Sequence, residues 1–289
     1  MTLSRAEELI AELGLQPHPE GGWYAEVFRS TSPVQPADGR GVRSALTTIY
    51  FLLTAGQTSR LHRVTSDEVW HFYEGDPLEL TIAPGDLVSR SLTTLGPAGA
   101  SSAPVCTVPA GCWQAARPLG AYTLVGCTVG PGFDFADFEL LDVEIRPITA
   151  AETRPLRQQV LRPQQRVEEL VFGCDADPEA LHLGAFHRGQ LIGITSVAPA
   201  PMPGVADETG VWQMRGMAVL PGAQGQGVGR AIVDACLAHL HSKAVRRLWF
   251  NARTGALPFY RTLGFETVGA EFDVPTVGPH YVMTRQLRA

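Results

Sequence analysis

Between Met214 and Arg230 the chain reads Met-Arg-Gly-Met-Ala-Val-Leu-Pro-Gly-Ala-Gln-Gly-Gln-Gly-Val-Gly-Arg, and this stretch restricts the fold more than any other. An apolar run, Met217-Ala218-Val219, stops at Pro221. Gln224-Gly225-Gln226-Gly227-Val228-Gly229 then opens an amphipathic helix predicted to reach about His241. A strand, a glycine loop and a helix in that order gather unpaired backbone N–H groups at the positive end of a helix dipole, a ready site for a pyrophosphate. Spacing separates the kinds of phosphate site. A dinucleotide loop needs a third glycine where Arg230 stands, and a P-loop needs Gly-Lys followed by Ser or Thr, which this stretch lacks.

What is left, Gln-x-x-Gly-x-Gly behind a β-strand, resembles the coenzyme A pyrophosphate loop of the GNAT N-acetyltransferases. Two further segments carry the resemblance. Trp249-Phe250-Asn251-Ala252-Arg253 reads as a buried strand and its exit, and Ala256–Phe265 reads as the helix-to-strand segment that closes the family's second motif. The resemblance implies acetyl-CoA as cosubstrate, lying in the splay between strand 210–219 and strand 246–251. Met217, Ala218 and Val219 would pair with its pantetheine arm. Gln224, Gly225, Gln226, Gly227, Val228, Gly229 and Arg230 would hold its pyrophosphate. Asn251 would contact the coenzyme, and Tyr260 would protonate the leaving thiolate.

An acceptor amine arrives protonated and must lose a proton before it attacks, so a base is needed. Glu208, just ahead of strand 210–219, is the first candidate, with a solvated loop charge as its alternative. His280, in Gly278-Pro279-His280-Tyr281, is the second, because an imidazole titrates near neutrality; a His after Pro also caps strands. Gln213 and Arg215 alternate with Met214 and Gly216 and so share a strand face. An Arg there suits a carboxylate-bearing or phosphorylated acceptor, and a solvated Arg is the alternative. Cys236, inside the helix, reads as core.

The remainder of the second half follows the same plan. Val143–Thr149 begins a strand followed by a helix to about Leu161. A hairpin (Leu181–His187, Arg188-Gly189, Gln190–Val197), a Pro-rich loop at 199–208, a helix at 254–263 and two closing strands complete it. Residues 143–289 are therefore expected to form an α/β GNAT acyltransferase domain, a mixed sheet with helices on both faces.

The first half has a different texture. Thr47–Thr54, Glu68–Phe72, Leu78–Ala83, Ser89–Leu95 and Tyr122–Val129 are β-branched or aromatic runs separated by Gly- and Pro-rich turns. Short strands at even spacing point to an all-β sandwich or barrel. Gly56, His62, Val64, Glu68 and Gly75 fit the first motif of the cupin superfamily, with Val64 in place of its second His. Pro109-Ala110-Gly111 fits the second, with Gln114 where a His belongs. His18–Tyr24, Phe28-Arg29-Ser30 and Ser66–Pro77 narrow the resemblance to the cupin-5 (DUF985) branch. Residues 1–141 are expected to form its double-stranded β-helix, a jelly-roll barrel, and the boundary is placed near Leu141–Val143.

The resemblance implies either a divalent metal held by His62 and Glu68, or a polar pocket floor of His62, Glu68 and Gln114 walled by Tyr50, Trp70 and Phe72. A satisfied polar cluster with no ligand is the third reading. Strand alternation turns His71 away from Glu68, Trp70 and Phe72. His18-Pro19-Glu20-Gly21-Gly22 reads as a turn before an edge strand at Tyr24–Arg29, with His18 and Glu20 as an acid–base pair the alternative.

Composition limits the rest. Across 289 residues the formal net charge is −6, and no basic run appears, which argues against general nucleic-acid binding. The start has no charged-then-apolar leader pattern; Ser4-Arg5-Ala6-Glu7 reads instead as a capping box for a helix with Leu9, Ile10 and Leu13 inward. The apolar run at Ala45–Ala55 is too short to span a bilayer. Cys106, Cys112, Cys127, Cys174 and Cys236 form no CxxC pair, so neither a disulfide framework nor a zinc site is indicated. A soluble cytoplasmic protein without a membrane partner is expected, with a small-molecule amine acceptor, a small ligand in the barrel and at least a homodimer. The function expected is an acetyl-CoA-dependent N-acetyltransferase fused to a ligand-binding or isomerase-like cupin. The alternatives are a non-enzymatic sensor of acetyl-CoA and an effector, and a metal-dependent cupin enzyme with a separate transferase.

Overall fold

The computed structural model describes residues 3–205 and 209–287, and the chain divides after Leu141 into two compact units. In the first, helix α1 (Arg5–Glu12) starts as its local sequence requires: Ser4 Oγ accepts from Glu7 N–H while the Glu7 carboxylate accepts from Ser4 N–H at 2.7 Å. Its inner residues Ala6 and Leu9 pack on Leu52 and Leu124.

The strands of this unit are β1 (Trp23–Arg29), β2 (Thr47–Thr54), β3 (Ser59–Val64), β4 (Asp67–Gly75), β5 (Leu78–Ala83), β6 (Ser91–Leu95), β7 (Val105–Val108), β8 (Trp113–Pro118), β9 (Tyr122–Gly130) and β10 (Phe138–Leu140). One sheet runs from the short strand Gln16–Pro17 through β1-β2-β9-β4 to β7; the other is ordered β10-β3-β8-β5-β6. The period of two along β2 makes the barrel two-faced. Thr47 and Ile49 face a cavity and Phe51 and Leu53 the core, while Tyr50 and Leu52 turn outward to the α1 cluster.

In the second unit, β11 (Glu144–Ile148) leads into α2 (Ala150–Leu156), which Thr149 caps through a second reciprocal box with Glu152. The helix expected to reach Leu161 gives way to a π-helical turn, Arg157–Leu161, just after Pro155, which has no N–H to continue an α-helical ladder. Then come β12 (Leu181–His187), β13 (Gln190–Pro199), β14 (Val211–Val219), α3 (Val228–Ser242), β15 (Arg247–Arg253), α4 (Leu257–Arg261), β16 (Glu266–Val274) and β17 (Gly278–Gln286). The expected helix at 254–263 is a 3-10 turn, Thr254–Ala256, followed by the short α4, again at a proline, Pro258.

These strands form one sheet ordered β11-β12-β13-β14-β15-β17-β16, antiparallel except for β14 beside β15. Val233, Cys236, Leu237 and Leu240 of α3 bury against Trp212, Met214 and Leu248, so Cys236 is core as expected. No helix of the described residues is long and apolar enough to cross a membrane.

Candidate active site

Two breaks in β14 make a cleft in the second unit. Its parallel pairing with β15 covers only Val211–Gln213 against Arg247–Trp249, and beyond that point the strands part. On its other edge the register against β13 slips between Arg215 and Ala218, a bulge at Gly216-Met217. Gly216 has φ +64, and a Cβ there would lie 2.9 Å from the Phe172 ring, so glycine serves both backbone and packing. Phe172 is held in turn by the buried Arg157, whose guanidinium sits 3.9 Å from the ring centroid and pairs with Asp175 at 2.6 Å.

The opening is a 260 Å³ cavity lined by Gln213–Met217 on one side and Phe250–Arg253 on the other, with Tyr260 and His280 also on its wall. Thus Met217, Asn251, Tyr260 and His280, distant in sequence, converge here. Asn251 is exposed on β15 at the splay, while Ala218 and Val219 are buried and pair with Ile194 and Gly193.

Tyr260 is 7% exposed, its ring 4.4 Å from that of Phe250, and burial holds its phenol well above the usual range. A phenol so placed stays protonated and able to donate. His280 is also buried; its Nδ1 lies 2.7 Å from Gly278 O, which only accepts, so Nδ1 carries the proton and Nε2 is left as the basic nitrogen. Glu208, the other expected base, lies outside the described residues.

The glycine loop leads from β14 into α3. A 3-10 turn, Pro221–Ala223, is followed by Gln224, whose side-chain amide donates to Val219 O at 2.9 Å. Gly225 and Gly227 have φ +81 and +82, and the space beside both is open. Gly227 caps α3 without a side chain, and Ala231 N–H bonds back to Gly227 O at 2.9 Å. The N–H groups of Val228, Gly229 and Arg230 therefore have no intrahelical acceptor, an arrangement that suits an anion at a helix N-terminus. Gly229 serves packing: a Cβ there would lie 3.2 Å from the Phe259 ring. Arg230 reaches Thr262 Oγ1 at 3.2 Å.

Of the charges on the cleft wall, sequence reading singled out Arg215 alone. Arg162, Arg215 and Arg253 line it, and no carboxylate does among the described residues. Burial, with Arg253 nearby, lowers the Arg162 pKa. Only Arg215 carried a signal, its place on the β14 face.

The first unit holds a second cavity, of 380 Å³, between the two sheets. His62 and Glu68 face into it as expected. Gln114 lies behind them, fully buried, donating to Glu68 Oε2 at 2.5 Å and accepting from Trp70 Nε1 at 2.9 Å. Trp70 and Phe72 belong to the core cluster beside the cavity, and Tyr50 packs on the outer face with Tyr73 and α1. The walls expected from Tyr50, Trp70 and Phe72 are supplied by Tyr24, Phe133, Phe135 and Phe138 instead. Period-two alternation puts Tyr50 on the wrong face; Phe133 and Phe135 come from the loop after β9 and Phe138 from the start of β10, and no local pattern specifies their place.

The glycine turn forms as read, with Gly21 N–H bonding His18 O at 3.0 Å, and it also delivers His18 and Glu20 into the cavity. Glu20 Oε2 is 3.2 Å from His62 Nε2, and Ser59 Oγ donates to Glu20 Oε1 at 3.1 Å. Burial pushes the Glu20 carboxyl up to about 8 and drops His18 to about 4. It also raises Glu68 and lowers His62.

This donor set does not fit a divalent ion. His62 Nδ1 donates to Arg60 O at 2.8 Å and its Nε2 faces Glu20, while Glu20 N–H bonds His18 Nδ1 at 3.3 Å. No group of three or more His, Cys, Asp or Glu side chains is arranged to hold a metal among the described residues.

Comparison with known proteins agrees with both halves. Residues 7–141 match the Cupin superfamily (DUF985) model, and residues 145–265 match the Acetyltransferase (GNAT) family model. The uncharacterized N-acetyltransferase YitI of Bacillus subtilis strain 168 is 34% identical over 146 residues, 50% of this chain and 97% of YitI. Among solved structures, protein SO0799 of Shewanella oneidensis is 32% identical, covering 56% of this chain and 92% of that one at a TM-score of 0.44. A hypothetical protein from Leishmania major is 36% identical, covering 54% and 94% at a TM-score of 0.44.

Proposed function

The chain belongs to the GNAT acetyltransferase family, its transferase preceded by a DUF985 cupin domain, and on that premise we propose that it moves acetyl from acetyl-CoA to the primary amine of a small molecule that also bears an acidic group. The observation that carries this reading is the parting of β14 from β15 beyond Gln213 and Trp249, which opens a cleft with Tyr260 and His280 on its wall.

The residues divide the work as follows. The free N–H groups of Val228, Gly229 and Arg230 bind the coenzyme's pyrophosphate. The edge of β14 at Met217–Val219 aligns the pantetheine arm, with Asn251 contacting the coenzyme from the facing strand. A backbone N–H at the bulge stabilises the charge developing on the acetyl oxygen, a role worth roughly 3–4 kcal/mol in other acyl-transfer sites. His280 Nε2 takes the ammonium proton, directly or through water, and Tyr260 O–H donates to the departing thiolate. The guanidinium groups of Arg162, Arg215 and Arg253 disfavour a protonated amine beside them, which helps the first step, and attract an acidic group on the acceptor.

The test is acetyl-CoA turnover by the full chain against amino acids, amino sugars, polyamines, aminoglycosides and a lysine peptide, with free CoA read by chromatography. Turnover is expected with acceptors that carry an acidic group. Tight coenzyme binding with no acceptor acetylated would replace the enzyme reading with a sensor.

A further inference from the structure

We propose that the barrel cavity of the first unit is a binding site for an organic ammonium ion, held between buried carboxyl groups and a corner of aromatic rings. Its lining is acidic: Glu20, Glu26, Glu68 and Asp134 face it against the lone guanidinium of Arg29, among the described residues. That guanidinium is already engaged, its Nε and Nη2 on the Glu26 carboxylate at 3.0 and 2.6 Å and its Nη1 on Phe133 O at 3.1 Å. An anionic ligand therefore finds no free cation on the wall and meets several carboxyl groups.

The rings supply the other half. Phe133 and Phe135 meet at 5.0 Å and 81°, Phe135 and Phe138 at 6.1 Å and 80°, and Phe133 and Phe138 at 6.1 Å and 68°. Three rings set nearly at right angles to one another form a corner beside the cavity, and aromatic faces attract ammonium groups through the ring quadrupole. At 380 Å³ the cavity has room for a small organic cation.

Glu20 makes the charge reversible. It is faced by Ser59, Arg60 and His62 of β3 and by His18 on its own turn, and it interacts electrostatically with Glu68 of β4 and Cys127 of β9. Burial keeps the carboxyl protonated up to about pH 8, so the empty pocket avoids the cost of an unpaired buried anion. An arriving cation favours the ionised form, and the displaced proton leaves to solvent.

Calorimetry on the full chain at pH 7 uses n-butylammonium and tetramethylammonium as cations, with butan-1-ol and butanoate as neutral and anionic controls. At least one cation is expected to bind tenfold or more tightly than butan-1-ol, with butanoate weaker still. Buffers of different ionisation heat should report release of up to about one proton per cation bound at pH 7, vanishing above pH 9. Glu20→Gln should weaken the cation tenfold and abolish the proton release. Phe135→Ala, at a ring 53% exposed and hence separable from folding, should weaken it severalfold. Equal affinity for cation and alcohol, no binding by either cation, or cation affinity unchanged in both variants would overturn the proposal. Cation binding in the barrel does not depend on acetyl transfer by the second unit, and tetramethylammonium has no acylatable nitrogen. Failure here and failure of the transferase reading are thus seen in separate assays.

Discussion

The two cavities of this chain have opposite electrostatic character. The barrel cavity of the first unit is lined by four carboxyl groups and one guanidinium that is already paired; the cleft of the second is lined by three arginines and no carboxylate, among the described residues. A formal net charge of −6 conceals both. Net charge bears on solubility and long-range attraction, whereas recognition follows from the few groups a cavity collects. Burial acts in the same sense on both. In the barrel it raises Glu20 and Glu68 and lowers His18 and His62, driving each toward its neutral form. In the cleft it raises the Tyr260 phenol, which stays protonated, and lowers Arg162.

The contrast is broken most severely at the cleft's buried phenol. Tyr260→Phe is expected to lower kcat by about 10²–10³-fold while coenzyme affinity, read by calorimetry, stays within twofold. A variant as active as wild type would remove the phenol from the reaction. His280→Gln should reduce kcat/KM by about 10²-fold. An unchanged rate would return the role of base to Glu208 or to water. Arg215→Gln sharpens the charge argument: KM for acidic acceptors should rise about tenfold, near 1.4 kcal/mol, with little change for acceptors that lack an acidic group. An equal rise for both would make Arg215 a general support of the cleft.

The smallest effect is on stability, and it runs in opposite directions in the two units. Because the folded barrel keeps a proton on Glu20 up to about pH 8 that the unfolded chain releases near 4.5, stability from this group is complete below pH 4.5 and is lost as pH rises toward 8. In the second unit burial works to raise Asp175, but hydrogen bonds from Arg157 and the Phe172 N–H hold it below 3.8, so its contribution is lost as pH falls through that lowered value. Scanning calorimetry of wild type against Glu20→Gln between pH 5 and 8, and against Asp175→Asn between pH 2 and 5, should show differences that change in these opposite senses. A Glu20→Gln difference that is flat from pH 5 to 8 would remove the barrel's side of the contrast.

Local signals carried much of this architecture. Ser4 and Glu7, and the strand–glycine loop–helix around Gly227, are short-range devices, and the structure builds both where the residues stand. Helix lengths were less legible, because Pro155 and Pro258 convert stretches of helical pattern into π and 3-10 turns. In the sites, legibility tracked sequence distance. His62 and Glu68 sit six residues apart and were read together. Glu20 was weighed only as a partner of His18, because its contact with His62 spans a turn, and the phenylalanine corner comes from the far side of the barrel.

The sequence by itself determined that a strand–glycine loop–helix turn exists, which residue types it uses, and that a β barrel precedes it, because glycine conformation, helix capping and period-two alternation act over a few residues. Only the tertiary structure decided where β14 leaves β15, which brings Tyr260 and His280 to one cleft and gathers three arginines around it. It alone decided that Tyr50 faces outward while Glu20 and Phe133, Phe135 and Phe138 line the barrel. The physical reason is common to both: burial and charge in a cavity are set by side chains that meet across strands, and that pairing is a property of the whole sheet rather than of any segment in it.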